Sequence, residues 1–165
     1  LRGGKSRGLR NSIQDCLYCS RCYNLSVTAD FEILDHTADI GIIAYGKDIG
    51  TVFINTARGL LSLIINPGEV KVKKHQEILV KAPDREALLV NWLNELIYLL
   101  DAEEMLFKDF KVIEIKDTRL KIQATGEKIN IKRHHLEREV KAATYHRLKI
   151  EQTAEGWRAQ IIFDI

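Results

Sequence analysis

The chain has 165 residues, 45% of them apolar and 29% charged, an ordinary balance for one soluble globular domain with a real core. Only two prolines and ten glycines argue against a long disordered region, and no apolar run approaches the roughly 20 residues of a membrane helix. A net charge of +2 gives little reason to expect autonomous nucleic-acid binding, which needs many phosphate contacts.

The charge is unevenly spread. Residues 1–26 hold Arg2, Lys5, Arg7, Arg10 and Arg21 against Asp15, leaving 20 basic and 22 acidic residues for the rest. No apolar stretch follows the first basic residues, so a secretory signal is not expected and a cytoplasmic protein without membrane contact is. The same segment carries all three cysteines, Cys16, Cys19 and Cys22, in "CLYCSRC". That spacing suits zinc or an iron–sulfur centre, but a closed zinc site needs four ligands and no second CxxC or HxxxH lies nearby. The segment is unpatterned and basic, and is expected to be a dispensable tail ahead of a domain spanning 27–165.

From Phe31 the pattern changes. "FEIL" followed by "DIGIIAYG" reads as extended chain ending in a turn at Gly46. Asp48 is placed to cap a helix to about Ile65, with Ile49, Val52, Phe53, Ala57, Leu60, Leu61 and Ile64 on one face. "NPG" at 66–68 stops it. Residues 69–82 alternate charged and apolar residues and predict one or two solvent-facing strands. Asp84 opens a second helix, whose stripe of Leu88, Leu89, Trp92, Leu93, Leu96, Ile97 and Leu100 is wide enough to pack across a sheet.

The C-terminal third is strand-rich. "FKVIEIKD" and "RLKIQATG" meet near Asp117–Thr118, while "TYHRLKIEQT" and "WRAQIIFDI" flank a hairpin turn at Gly156. The charged stretch "EKINIKRHHLEREVKAA" predicts one short strand plus a loop. Two main helices on a mostly antiparallel sheet make a two-layer α+β domain.

Three clusters could carry chemistry. "DHTAD" sets Asp35, His36 and Asp39 together, either as a turn whose side chains bond their own backbone or as metal ligands or a proton-transfer group. "IIFDI" ends the chain with Asp164 after three large apolar residues. Next to a terminal carboxylate that is electrostatically awkward, and a cation bound by oxygen ligands would resolve it. The alternative is a frayed, solvated end. "KRHHLEREVKAATYH" lacks zinc spacing and reads as a phosphate- or partner-facing surface or as a solvated loop. There is no phosphate loop, GxSxG or HExxH, so the chain is not expected to be an enzyme.

Taken in order, "DHTADIGI", "LLVNWLNELIYLLD", "VKAATYH" and "GWRAQIIFDI" give the chain from about residue 31 to 165 a resemblance to the archease family. That resemblance implies an accessory protein that promotes guanylylation and multiple turnover of the RtcB-type tRNA-splicing ligase, reaching RNA and GTP only through that ligase. A chaperone-like role has also been attached to the family. Its divalent-cation site, most often assigned as Ca²⁺ with Mg²⁺ or Mn²⁺ as alternatives, maps onto Asp39, Asp164 and Ile165. His36, Lys141 and His146 fall in matching blocks and are carried over as partner contacts only. The rival from another class is a metal-dependent hydrolase built on His36, Asp39 and Asp164, acting alone.

Overall fold

The computed structural model describes residues 30–35 and 39–165. The tail over 1–26, its three cysteines and His36 lie outside the described residues. In chain order the elements are β1 (Phe31–Asp35), β2 (Ile40–Gly46), α1 (Ile49–Ile64), a short 3-10 turn (Pro67–Glu69), β3 (Lys74–Lys81) and α2 (Arg85–Glu103). Then come β4 (Met105–Lys116), β5 (Arg119–Lys128), β6 (Ala142–Thr153) and β7 (Gly156–Asp164). This is the α+β architecture expected.

Both helices begin where the capping aspartates stand. Asp48 Oδ1 accepts from Thr51 N at 2.8 Å and Asp84 Oδ1 from Ala87 N at 2.8 Å, each worth about 1 kcal/mol of helix stability. The apolar stripes then dock the helices together. Trp92 of α2 is fully buried, donates its indole N–H to Phe53 O of α1 at 3.0 Å and meets Phe110 edge-on at 5.5 Å.

The strands divide into two antiparallel sheets rather than the one expected. One has the order β1-β2-β7-β6, the other β3-β5-β4. Helix α2 ties them through two amides one turn apart: Asn91 donates to Lys81 O of β3, and Asn94 contacts Ala143 of β6. The extended segment expected from "FEIL" to "AYG" also reverses on itself, since β1 pairs antiparallel with β2.

In the first sheet, period-two alternation separates two faces. Ile40, Ile42 and Ala44 of β2 and Ala159, Ile161 and Phe163 of β7 point into the core and are essentially inaccessible. Ile43 and Ile162 belong to the opposite face. Between Thr144 and Lys149 the β6–β7 register slips, so that Tyr145, His146, Arg147 and Leu148 stand against the single residue Ile161. Arg147 sits there at φ 52°, a left-handed conformation costing a side-chain-bearing residue roughly 1–2 kcal/mol.

Of the short strand and loop expected over 127–143, the loop forms at 129–141 and is mostly exposed, but it carries one buried cluster. Its His134 is only 4% exposed and packs on Glu127, itself 2% exposed. Asn130 N donates to His134 Nδ1 at 3.0 Å, which leaves the ring hydrogen on Nε2 to face Glu127 Oε1 at 3.2 Å. No strand forms in the loop; its one ladder contact is an isolated bridge between Leu136 and Ile65.

Candidate functional site

The β2–β7 ladder pairs Ile40 with Phe163. Asp39 immediately precedes β2 and Asp164 ends β7, so one further step of that register would bring the two positions opposite each other, at the roughly 5 Å spacing of facing residues in an antiparallel ladder. Alternation assigns both residues to the same outward face as Gly41, Ile43 and Ile162, away from the helices. Asp39 is half-buried and Asp164 exposed. This answers how two aspartates can flank buried apolar runs: Ile40 and Phe163 fill the core, while the adjacent odd and even positions turn outward.

A cation of the chain's own holds the end of β7 in place. Lys141 N donates to Asp164 O at 2.8 Å, and Lys141 Nζ donates to Ile165 O at 3.1 Å. One row thus collects Asp39, Asp164, Ile165 and Lys141, residues separated by up to 126 positions in sequence. His146 lies further along β6, exposed on the bulge. His36 is outside the described residues.

Asn94 keeps this corner in register, a role the sequence reading missed. Its amide donates to Ala143 O at 3.2 Å and accepts from Ala143 N at 2.8 Å. It thereby imitates a neighbouring strand on the side of β6 that faces α2. The available signal was a polar residue between Leu93 and Leu96 of the buried stripe. Asn94→Ala leaves both groups of the buried Ala143 without partners and is expected to cost about 2 kcal/mol. Urea unfolding measures that loss, and accelerated hydrogen exchange at the Ala143 amide locates it.

The donors fit one class of ion. Two carboxylates and a main-chain oxygen are hard ligands, suited to Ca²⁺, Mg²⁺ or Mn²⁺ rather than zinc. Among the described residues no group of three or more His, Cys, Asp or Glu side chains converges. A separate hollow of about 550 Å³, lined by Tyr45, Lys47, Asn55, Glu155 and Trp157, lies at the other end of β2 and β7. It contains none of the residues singled out from the sequence.

Comparison with known proteins points one way. The family model described as "Archease protein family (MTH1598/TM1083)" matches residues 31–165. "Protein archease" of Methanosarcina mazei is 42% identical over 139 residues, covering 82% of this chain and 95% of its own. That of Pyrococcus abyssi is 41% identical over 140 residues, covering 82% and 98%. The solution structure of Methanobacterium thermoautotrophicum protein 1598 superposes with a TM-score of 0.72 at 36% identity, over 82% of this chain and 99% of that one. A Thermotoga maritima crystal structure titled "an archease, possible chaperone" has a TM-score of 0.54 at 21% identity, over 80% and 94%, a likeness of fold. No described helix is long and apolar enough to cross a membrane.

Proposed function

This chain belongs to the archease family, and on that premise we propose that it is an accessory protein of an RtcB-type tRNA-splicing ligase, promoting the ligase's guanylylation and repeated turnover. The observation that carries this reading is the pairing of Ile40 with Phe163, which puts Asp39 and Asp164 at the same end of β2 and β7. An open, surface-lying pair of carboxylates suits a site completed by another protein better than one that turns over substrate alone.

In this reading Asp39 and Asp164 would hold a divalent cation, most readily Ca²⁺, with Ile165 O assisting. Such an ion offsets negative charge on phosphate oxygens. The chain's own part is structural and electrostatic. Lys141 fixes the Asp164–Ile165 end through both its main-chain and side-chain nitrogens, and Asn94 fixes β6 behind it. The ordered row presents its charge to the ligase's nucleotide pocket, and RNA and GTP are met only there.

Asp39→Ala and Asp164→Ala each remove one carboxylate, from a half-buried and an exposed position respectively. Both variants are expected to keep the wild-type melting temperature within a few degrees, because surface changes rarely exceed about 0.5 kcal/mol. Both are expected to lose the stimulation of ligase guanylylation. The assay measures covalent ligase–guanylate formation with and without each variant, in Ca²⁺, Mg²⁺ or Mn²⁺. Full stimulation by Asp39→Ala would sink the mechanism. Metal-dependent hydrolysis of nucleotides by the chain alone would favour the hydrolase instead.

A further inference from the structure

Most of β6 is regular strand, but its middle is not. Four residues, Tyr145 to Leu148, oppose Ile161 alone, and Arg147 is held in a left-handed conformation without being glycine. The distortion is pinned from several sides. His146 N donates to Thr144 Oγ1 at 3.3 Å, Thr144 Oγ1 donates to Ile162 O at 3.1 Å, and Gln160 Nε2 donates to Arg147 O at 3.3 Å. Bulges that re-aim side chains concentrate beside functional sites, and strain kept in place by its surroundings is a pointer to use.

What the bulge displays is specific. Tyr145 is 59% exposed, and His146 and Arg147 are exposed beside it. Among the described residues neither Arg147 nor His146 has a carboxylate within ion-pair distance. The nearby Glu151 is already held by Lys149 at 2.6 Å and Arg158 at 2.8 Å. Ile165, 39% exposed, adds apolar area at the aspartate row. Tyr145 is three residues along β6 from Ala142, the partner of Asp164, or about 10 Å at strand rise. That separation is within the span of a protein interface of about 800 Å² per partner, some 30 Å across.

We propose that the strained bulge Tyr145–His146–Arg147 is a docking knuckle for a protein partner, with Tyr145 as the anchor and Arg147 and His146 pairing with carboxylates on the partner's surface. Tyrosine and arginine at the centre of a patch are the residue types that dominate protein–protein hot spots, and a guanidinium with no carboxylate partner among the described residues suits a planar acid. A nucleic-acid strand fits less well. The body beyond residue 26 carries 20 basic against 22 acidic residues, which gives no excess positive charge for phosphate tracking. This inference rests on the ligase reading: it names the surface through which the ligase holds the chain while the aspartate row reaches its pocket.

Arg147→Gly separates side chain from strain, since glycine takes φ 52° without a Cβ penalty. Its melting temperature is expected to equal or exceed the wild-type value, while its Kd for the purified cognate ligase, from isothermal titration calorimetry, rises about 30-fold. Arg147→Lys recovers part of the loss, and Tyr145→Ala weakens binding by a similar factor. Guanylylation at saturating Arg147→Gly stays near the wild-type level, because the aspartate row is intact. Unchanged affinity in Arg147→Gly and Tyr145→Ala, with wild-type stimulation intact, overturns the docking surface and leaves the ligase reading standing. Absence of any wild-type affinity or stimulation overturns both. Loss of binding to a single-stranded RNA oligonucleotide, with ligase affinity unchanged, overturns it in favour of a nucleic-acid face.

Discussion

Glu127→Ala is expected to lower the unfolding free energy by about 3 kcal/mol, the lower end for breaking a buried ion pair. Glu127 is 2% exposed and accepts from everything around it. Lys71 N lies 2.7 Å from Oε1, Lys73 Nζ lies 2.8 Å from Oε2, and Arg133 and His134 both meet Oε1. Removing the carboxylate leaves Arg133 and the His134 ring facing a hole. Because Arg133 Nη1 also binds Glu69 O and Glu69 binds His135 N, the 129–141 loop loosens with it, and with it the approach to Lys141. The urea midpoint reads the loss directly, and since a domain is stabilised by only about 5–15 kcal/mol in all the shift is large.

The same group sets an acid limit. Hydrogen bonding from Arg133 is the largest cause holding the Glu127 carboxyl well below its usual range. Lys73, the Lys71 amide and His134 add to it, against an upward push from burial. A carboxyl whose folded value is depressed stabilises the fold fully above its unfolded value of about 4.3. That stability is lost as pH falls from there through the folded value. Wild-type unfolding free energy should therefore drop below about pH 4, with Glu127 contributing a slope of up to ~1.4 kcal/mol per pH unit. Glu127→Gln should lack that contribution, and equal acid slopes in the two proteins would refute the assignment.

Gly126→Ala is the second large effect, with a different cause. Gly126 lies in the centre strand of its sheet, paired with Phe107 of β4 on one side and Lys74 of β3 on the other. A Cβ there would stand 1.9 Å from Leu106 O and 2.8 Å from Phe107 Cα. Those are backbone atoms, so no side-chain rotation relieves the clash, and β4 must shift next to its own bulge at Phe107–Asp109. Overpacking of this kind costs about 3 kcal/mol, or roughly 10 °C in melting temperature for a domain of this size. A thermal scan within a few degrees of wild type would contradict the close backbone approach. The neighbouring Glu127 makes the pair informative, since the glycine variant should retain the acid dependence that Glu127→Gln removes.

Several elements were legible because their signals are local. Asp48 and Asp84 cap the helices they precede, and the stripe ending at Leu100 is the buried face of α2. Gly156 turns the last hairpin at φ 140°, with a Cβ there only 2.5 Å from Gly46 O. The candidate site was legible in part: Asp39 and Asp164 were nominated through the family resemblance, and their facing positions follow from the strand register. The Glu127–His134 cluster was not legible. Its partners Lys71 and Glu69 come from 56 and 66 residues away along the chain, and the charge run around it looks solvated in any short window. The bulge at Arg147 was likewise hidden, since "TYHRLKIEQT" alternates well enough to read as plain strand.

The amino-acid sequence by itself determined the caps, the turns and which side of each strand is apolar. These follow from backbone sterics and side-chain periodicity within a few residues. Only the tertiary structure decided that the strands form two sheets, that Asn94 completes the edge of β6 and that Ile40 pairs with Phe163, which brings the ends carrying Asp39 and Asp164 together. Such meetings are settled by the whole core. The entropy of closing loops grows slowly with their length, so distant segments can compete for one position. The pairing of Ile40 with Phe163 succeeds because it buries both, and the aspartates beside them are brought together by that burial.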